Sequence, residues 1–526
     1  MKQLTLLFIV LLVGVHHVAA ATWQFVDVTK QAGFNYSHAI NSPIKSNHES
    51  RQLLFSGGVA VGDYDRDGWV DLYVVRGDIG PNLLFRNLGN GSFEEVSANA
   101  GLASAEGAIS SGPIFADFTG DGNLDLFVGG VGKTTPLLFS NRGDGTFENI
   151  TPEYGVSDLN NTFSATFGDY DRDGDLDLYV SHWTFSNNFD RNYLFENDGK
   201  GGFKDDTISA GLGHLIFADF TANFADVNND GWPDLLVAAD FEHSKLFINN
   251  RDGTFKDATD SSVFTDENGM GAVVGDYDND GDLDWFVTSI WDVREKKYMD
   301  GKGGSGNRLY RNRGNGTFED VTDLAGVRMG HWGWGSCFAD FNNDGHLDLF
   351  HVNGFLRDVS DDRETSIFLD DPVRMFLANG DGTFTERSQE LGLDDTSQGR
   401  GVSCFDYDRD GDLDIFIANF GAAPRLYRND GGNKRHYIGV SLKGGSPNTE
   451  AIGARVYVTA NGITQMRELR AGSNFESQNP AEAHFGLGDA TNVDKLRIVW
   501  PNGKISTMHN VAVDQRLSLS VNDLLE

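Results

Sequence analysis

Asp406-Tyr-Asp408-Arg-Asp410-Gly411-Asp412-Leu413-Asp414 places carboxylates at positions one, three, five and nine around a glycine at position six. Oxygen ligands at alternating positions converge on a hard cation, and glycine permits the sharp turn between them. The opening resembles an EF-hand loop. It departs after the glycine, because Asp stands at nine and position twelve is Ile417. After Asp414 the chain continues Ile-Phe-Ile-Ala, a run of strand formers rather than a helix. The stretch therefore predicts a calcium loop inside a β-hairpin.

The same stretch occurs seven times at intervals of 50 to 66 residues. The expected ligands are Asp63, Asp65, Asp67 and Asp71; Asp117, Thr119, Asp121 and Asp125; Asp169, Asp171, Asp173 and Asp177; Asp226, Asn228, Asp230 and Asp234; Asp276, Asp278, Asp280 and Asp284; Asp340, Asn342, Asp344 and Asp348; and Asp406, Asp408, Asp410 and Asp414. Position three varies, but Asp, Asn and Thr all offer an oxygen. A lone copy could be a plain Asx-turn, whereas seven at this spacing point to a repeat architecture.

Two further phrases share the period. Phe-x-x-x-Thr/Ser recurs at Phe25–Thr29, Phe93–Ser97, Phe147–Thr151, Phe203–Thr207, Phe255–Thr259, Phe318–Thr322 and Phe384–Ser388. Between loop and phrase lies a short apolar run, such as Leu83-Leu-Phe-Arg86 or Arg425-Leu-Tyr-Arg428. Turns of the form Asn-x-Gly-Asp-Gly join the two. One unit thus reads as four antiparallel strands A to D, with the calcium loop between A and B. Seven such units predict an all-β, seven-bladed β-propeller. The seventh unit lacks its own strand D, and the spare copy is Phe25–Thr29 at the start. The N-terminal strand is therefore expected to close the ring and remove its open edge.

Residues 21–432 resemble the FG-GAP (VCBS) repeats of the integrin α-subunit propeller. That resemblance implies calcium held by the loop side chains, on one face of the disc. Residues 433–526 carry no calcium loop and alternate apolar with polar residues, which predicts a separate small β domain of sandwich type. Ile452-Gly-Ala-Arg455-Val, Ser477-Gln478, His484-Phe-Gly-Leu-Gly488 and Trp500-Pro-Asn-Gly503 resemble the ASPIC/UnbV domain. FG-GAP repeats followed by that domain resemble the layout of the cartilage acidic protein 1 (CRTAC) family.

Met1–Ala20 reads as a signal peptide, with Lys2, an apolar core and a small-residue cleavage site at Val18-Ala19-Ala20. The expected destination is outside the cytoplasm, with no membrane span in the mature chain. The net charge of −36 argues against nucleic acid as a partner, and 25 Asp in the seven loops explain much of it. Cys337 and Cys404 lie three and two residues before their loops, so strand alternation points them to opposite faces. Two buried thiols are expected.

The long B–C and D–A connections lie on the face opposite the calcium loops, and binding usually lives in such loops. They carry His182, Trp183, Trp291, Arg294, His331, Trp332 and Trp334, which suit a polysaccharide, matrix or protein ligand. Loop packing is the competing explanation of the same aromatics. Arg76-Gly77-Asp78 in one of these loops resembles the integrin recognition sequence, against which stands its plain reading as turn residues. No catalytic motif stands out, although His182, His331 and Asp240 are the residues an enzyme on this face would use. The expected function is an extracellular binding or adhesion module. The alternatives are a polysaccharide lyase or hydrolase, and a scaffold whose C-terminal domain holds the partner site.

Overall fold

The computed structural model describes residues 23–42, 52–102, 108–132, 134–156, 159, 161–183, 191–199, 202–213, 218–292, 304–355 and 368–522. The expected signal peptide and Arg294 lie outside them. Seven antiparallel sheets succeed one another, each with its strands in the order A-B-C-D. In blade three these are Thr162–Gly168, Asp177–His182, Tyr193–Asn197 and Phe203–Asp205. Strands A and B of this blade are buried at every position, because neighbouring blades cover both of their faces. Strand D buries its phenylalanine and exposes the next two residues, as an outer edge should.

The strand A of each blade packs against that of the next, and blade one meets both blade two and blade seven. The ring closes through the N-terminus. Gln24–Asp27 pairs antiparallel with Arg425–Asp430, opposing Phe25 to Asn429 and Asp27 to Tyr427. Thr29 explains its place in the recurring phrase: its Oγ1 accepts the Leu426 amide at 2.9 Å. The hydroxyls of Ser97, Thr151, Thr207, Thr259, Thr322 and Ser388 do the same for their own strands C.

One expectation is corrected. Cys337 and Cys404 are not two free thiols but form a disulfide, with their Cα atoms 6.7 Å apart. Alternation does point them to opposite faces, and that is what brings them together. Blades stack, so the leading face of one strand A meets the trailing face of the next. Residues on opposite faces of equivalent strands in neighbouring blades are the ones that face each other.

Beyond Asp430 the chain builds two more sheets. One contains Glu482–Gly488, His436–Lys443 and Gln515–Ser520, and the other Ile463–Glu468, Arg455–Ala460, Val493–Val499 and Ile505–Val511. They share one core that includes Val440, Val456, Phe485, Leu496 and Trp500, which makes a sandwich. The sandwich is tied to the ring by a segment that enters it. Arg470 to Asn479 contacts the inner strand of all seven blades. Arg470 donates to the Val274 carbonyl, the Ala471 carbonyl accepts the Phe167 amide, and Asn474 accepts the Ser336 amide. Phe475 packs on Phe220, Ser477 pairs in parallel with Val59, and Gln478 exchanges two bonds with Phe115. Asn479 accepts the Cys404 amide in blade seven at 2.9 Å. The axis of the propeller is therefore filled by C-terminal chain.

Candidate metal centres and the opposite face

The loops assign different tasks to their four positions. The position-nine Asp opens strand B, fully buried in all seven blades. One of its oxygens accepts an amide at the end of strand C, as Asp71 does from Asn87 at 2.8 Å and Asp414 from Asn429, the last residue but one, at 2.8 Å. The other accepts an amide near the start of its own loop, such as Tyr170 to Asp177 at 3.0 Å. Position nine thus clamps the A–B hairpin to strand C, whatever else it binds. Position five caps position seven, as in Asp67 accepting the Trp69 amide at 2.9 Å. The position-one Asp accepts the position-six glycine amide through Oδ2, at 2.9 Å in Asp63.

In four loops the side chains at positions one, three and nine converge. The sets are Asp63–Asp65–Asp71, Asp169–Asp171–Asp177, Asp276–Asp278–Asp284 and Asp406–Asp408–Asp414, each with its ligand atoms within 4.8 Å of one another. Position five stands outside these sets. Several of the converging oxygens are shielded and accept no hydrogen bond: Asp63 Oδ1, Asp169 Oδ1, Asp276 Oδ1, Asp278 Oδ1 and Asp408 Oδ1. Burial pushes the carboxyls up, Asp63 to about 6, Asp169 and Asp276 to about 7, and Asp71 to about 9. Buried, unpartnered, mutually repelling oxygens are the donor set of a hard cation, so these loops fit calcium. In the first loop Arg86 supplies part of the neutralisation, reaching Asp65 at 2.6 Å and Asp67 at 2.9 Å.

A second repeated residue was missed in the sequence. Strand C ends in Asn at Asn87, Asn141, Asn197, Asn249 and Asn312, and in blade seven Asn429 holds the equivalent place. Each side-chain amide donates to the position-eight carbonyl of its own loop and to the position-two carbonyl of the preceding blade, as Asn249 does to Pro233 and Tyr170. The signal was available, one residue beyond the apolar run. Blade six has Ala378 instead, and a small cavity lies there between Tyr277, His346 and Phe384. Ala378→Asn is expected to supply the missing link from blade six to blade five and stabilise the protein by about 1 kcal/mol. Chemical denaturation of the variant checks this, with a raised midpoint as the expected result.

Comparison with known families shows the same periodicity. The FG-GAP-like repeat model matches residues 63–128, 117–180, 226–287, 300–351 and 365–417, and the ASPIC and UnbV model matches residues 444–524. The chain belongs to the FG-GAP repeat family. Relatives of this FG-GAP protein include Cartilage acidic protein 1 of Homo sapiens, 24% identical over 520 residues, covering 91% of this chain and 73% of that protein. The Mus musculus protein of the same name is 23% identical and covers 89% and 74%. Among solved structures, an Agrocybe aegerita protein described as recognising non-reducing terminal N-acetylglucosamine is similar at a TM-score of 0.41 and 19% identity, covering 68% of this chain and 88% of that one. The V. cholerae biofilm matrix protein Bap1 is similar at a TM-score of 0.32 and 12% identity, covering 93% and 76%. Neither likeness is close enough to bear on function.

The FG-GAP loops also carry contacts that the sequence did not disclose. In three of them the C-terminal sandwich reaches the same oxygen, the Oδ2 of position one that already accepts the glycine amide. Thr449 Oγ1 donates to Asp117, Arg455 pairs with Asp226 at 3.3 Å, and Arg516 pairs with Asp406 at 3.0 Å. In the sixth loop Arg435 donates to Asn342 Oδ1 at 3.1 Å, and His484 bonds Asn343 at 2.8 Å. The sandwich therefore covers the loop face of the FG-GAP ring, with an inner oxygen of each position-one Asp left to the loop.

The residues expected on the opposite face divide. Trp183, Trp332 and Trp334 are buried in one aromatic cluster with Phe55, Phe220 and Phe475. Trp183 donates to Asp240 at 2.9 Å and Trp334 to the Gly354 carbonyl at 2.7 Å. Their rings fill the end of the ring's axis and do not offer a surface, which favours the packing explanation. His182 is buried against Thr162 and the Arg191 carbonyl, and burial lowers its pKa to about 4. Asp240 is occupied by Trp183 and Asn268. Trp291 and His331 differ. They are half-buried and stack with ring centroids 5.9 Å apart, and His331 also meets the buried Asp371 at 2.8 Å and Arg374 at 3.4 Å. Asp78 of the Arg-Gly-Asp triplet caps its own loop, accepting the Asn41 and Ser42 amides at 2.6 and 2.8 Å. Gly77 has φ +82°, and a Cβ there would meet the Ala39 carbonyl oxygen at 2.0 Å. That triplet is accounted for by its turn. Among the described residues, no helix is long and apolar enough to cross a membrane.

Proposed function

We propose that the protein is a secreted, calcium-binding propeller that acts as an extracellular binding module. Its partner would be a polysaccharide, matrix component or protein, held on the face opposite the calcium loops. The convergence of unpartnered carboxylate oxygens in four loops carries the calcium reading. Calcium supplies positive charge to these loops, and the chain's own Asp residues orient it. Relatives named Cartilage acidic protein 1 along most of the chain support an extracellular setting. The choice of face rests on the sandwich, whose contacts already occupy the loop side. Trp291 and the His331 stacked on it, with Arg374 beside His331, combine an aromatic face with hydrogen-bonding and cationic groups, which suits a sugar or an acidic polymer.

The test is incubation of the mature protein with a panel of polysaccharides and matrix proteins in calcium, reading bound protein and newly released sugar ends together. Saturable binding without cleavage is the expected result. Released ends would make the protein an enzyme instead. Trp291→Ala is expected to weaken binding at least about tenfold while leaving thermal unfolding unchanged, because a half-buried aromatic anchor contributes about 2 kcal/mol to an interface. Undiminished binding by that variant would move the site elsewhere.

A further inference from the structure

Ile452-Gly-Ala-Arg455 and Trp500-Pro-Asn-Gly503 stand far apart in the sequence, and the function proposed above uses neither. The structure brings them together. Ile452 and Gly453 from the first, and Trp500, Pro501 and Gly503 from the second, line one cleft between the C-terminal sandwich and blades three and four. Its volume is about 270 Å³, against about 140 Å³ for the cavity between the sandwich and the later blades. The two glycines leave part of the wall bare. A Cβ at Gly453 would meet no atom within 4 Å, and one at Gly503 would meet only Arg172 Nη2, at 3.8 Å.

Most of the remaining wall is apolar. Phe167 and Phe224, near the ends of two strands A, share it with Ile452, Leu469, Val499 and Trp500. An apolar cavity of about 150 Å³ accepts benzene, so this cleft has room for a two-ring body of about ten carbons. The charges in the wall are matched, with one exception. Asp226 pairs with Arg455 at 3.3 Å, and Glu468 with Arg455 at 2.9 Å and Arg470 at 3.3 Å. Asp230 pairs with Arg251 at 2.8 Å, and Asp169 belongs to one of the four converging trios. Arg172 is the exception, pairing with no carboxylate among the described residues. It lies over the Trp232 ring, 5.2 Å from its centroid, and donates to the Pro501 carbonyl at 2.8 Å. These contacts hold the guanidinium at the cleft with N–H groups to spare. An unmatched guanidinium beside an apolar hollow suits an acid with an aromatic body, because its planar fork matches a carboxylate.

We propose that this cleft binds a small aromatic carboxylate, with its rings among Phe167, Phe224 and Val499 and its carboxylate on Arg172. Ring and sandwich both contribute to the site, so neither domain holds it alone. The inference is independent of the calcium reading, since Arg172 and not a metal receives the acid.

The experiment is isothermal titration of the full mature chain in calcium, near neutral pH and up to millimolar ligand, comparing naphthoate with the uncharged naphthamide. Wild type, Arg172→Gln and Val499→Trp are used, with circular dichroism as the check on folding. Naphthoate is expected to bind saturably, one molecule per chain, at least about tenfold more tightly than naphthamide, because charge-assisted hydrogen bonds are the stronger ones. Arg172 is half-buried, so its variant is expected to fold and to bring the two ligands to similar affinity. Val499→Trp fills the cleft and is expected to abolish binding of both. Absence of saturable naphthoate binding by wild type would overturn the site. Equal affinity of wild type for the two ligands, or a preference for naphthoate that survives Arg172→Gln, would overturn the assignment of an acid to Arg172. Undiminished binding by folded Val499→Trp would overturn the cleft as its location.

Discussion

Chelating calcium is expected to lower the unfolding temperature by on the order of 10 °C or more, because several sites are lost together. Each filled site adds about 3–4 kcal/mol at a hundred- to thousand-fold excess of metal over its dissociation constant, and four trios are present. The effect has a pH signature. In the metal-free protein, burial raises Asp63 and Asp406 to about 6, Asp169 and Asp276 to about 7, and Asp71 to about 9. Their unfolded values lie near about 4. The folded chain therefore binds more protons than the unfolded one. That contribution to stability is complete below about pH 4 and is lost as pH rises through the folded values, from about 6 to about 9. Metal-free protein is expected to melt higher at pH 5 than at pH 8. Calcium binds the ionised carboxylates, so the gap between calcium and EGTA melting curves should widen with pH. Parallel scans across that range check the prediction, and a gap independent of pH would contradict it.

Removing residues 23–30 is expected to destabilise the whole ring and not one blade alone. Phe25 is 3% exposed, and losing a buried phenylalanine costs about 3–5 kcal/mol. The deletion also removes the Phe25 amide bond to the Leu391 carbonyl and leaves the Leu426 amide without Thr29, each worth about 1 kcal/mol. Strand C of blade seven would then present an open edge, which invites pairing between chains. The expected observations are one cooperative transition at a lower temperature and concentration-dependent aggregation. An unchanged melting curve would show that the ring does not need this strand.

The parts of the fold legible in the sequence were those written in a period. The loop carboxylates, hairpin turns and the Phe-x-x-x-Thr phrase recur because each blade solves the same local problem. Counting the phrases was enough to place Phe25–Thr29 in blade seven. The strand C asparagines had the same period and were overlooked, since Asn beside a glycine turn reads as turn chemistry. What could not be read was written once and acts at long range. Nothing near Asn474 or Phe475 in sequence says that this segment lies on the axis of a ring some hundreds of residues earlier. Thr449, Arg455 and Arg516 look like ordinary surface residues until the sandwich is placed on the loops. The Cys337–Cys404 bridge needed the stacking of blades, which alternation along one strand does not contain. Trp183, Trp332 and Trp334 read as loop residues able to bind a ligand or to fold inward, but Trp334 belongs to strand A of blade six, Trp183 and Trp334 pack on Phe55 and Phe220, and Trp332 packs on Phe355 and Phe368.

The decisive experiment is isothermal titration of calcium into the metal-free chain, run at pH 6 in two buffers of different ionisation enthalpy. Saturable binding of at least four ions per chain is expected, with protons released as the raised carboxyls ionise, and therefore heats that differ between the buffers. No saturable heat, or binding without proton release, would contradict it.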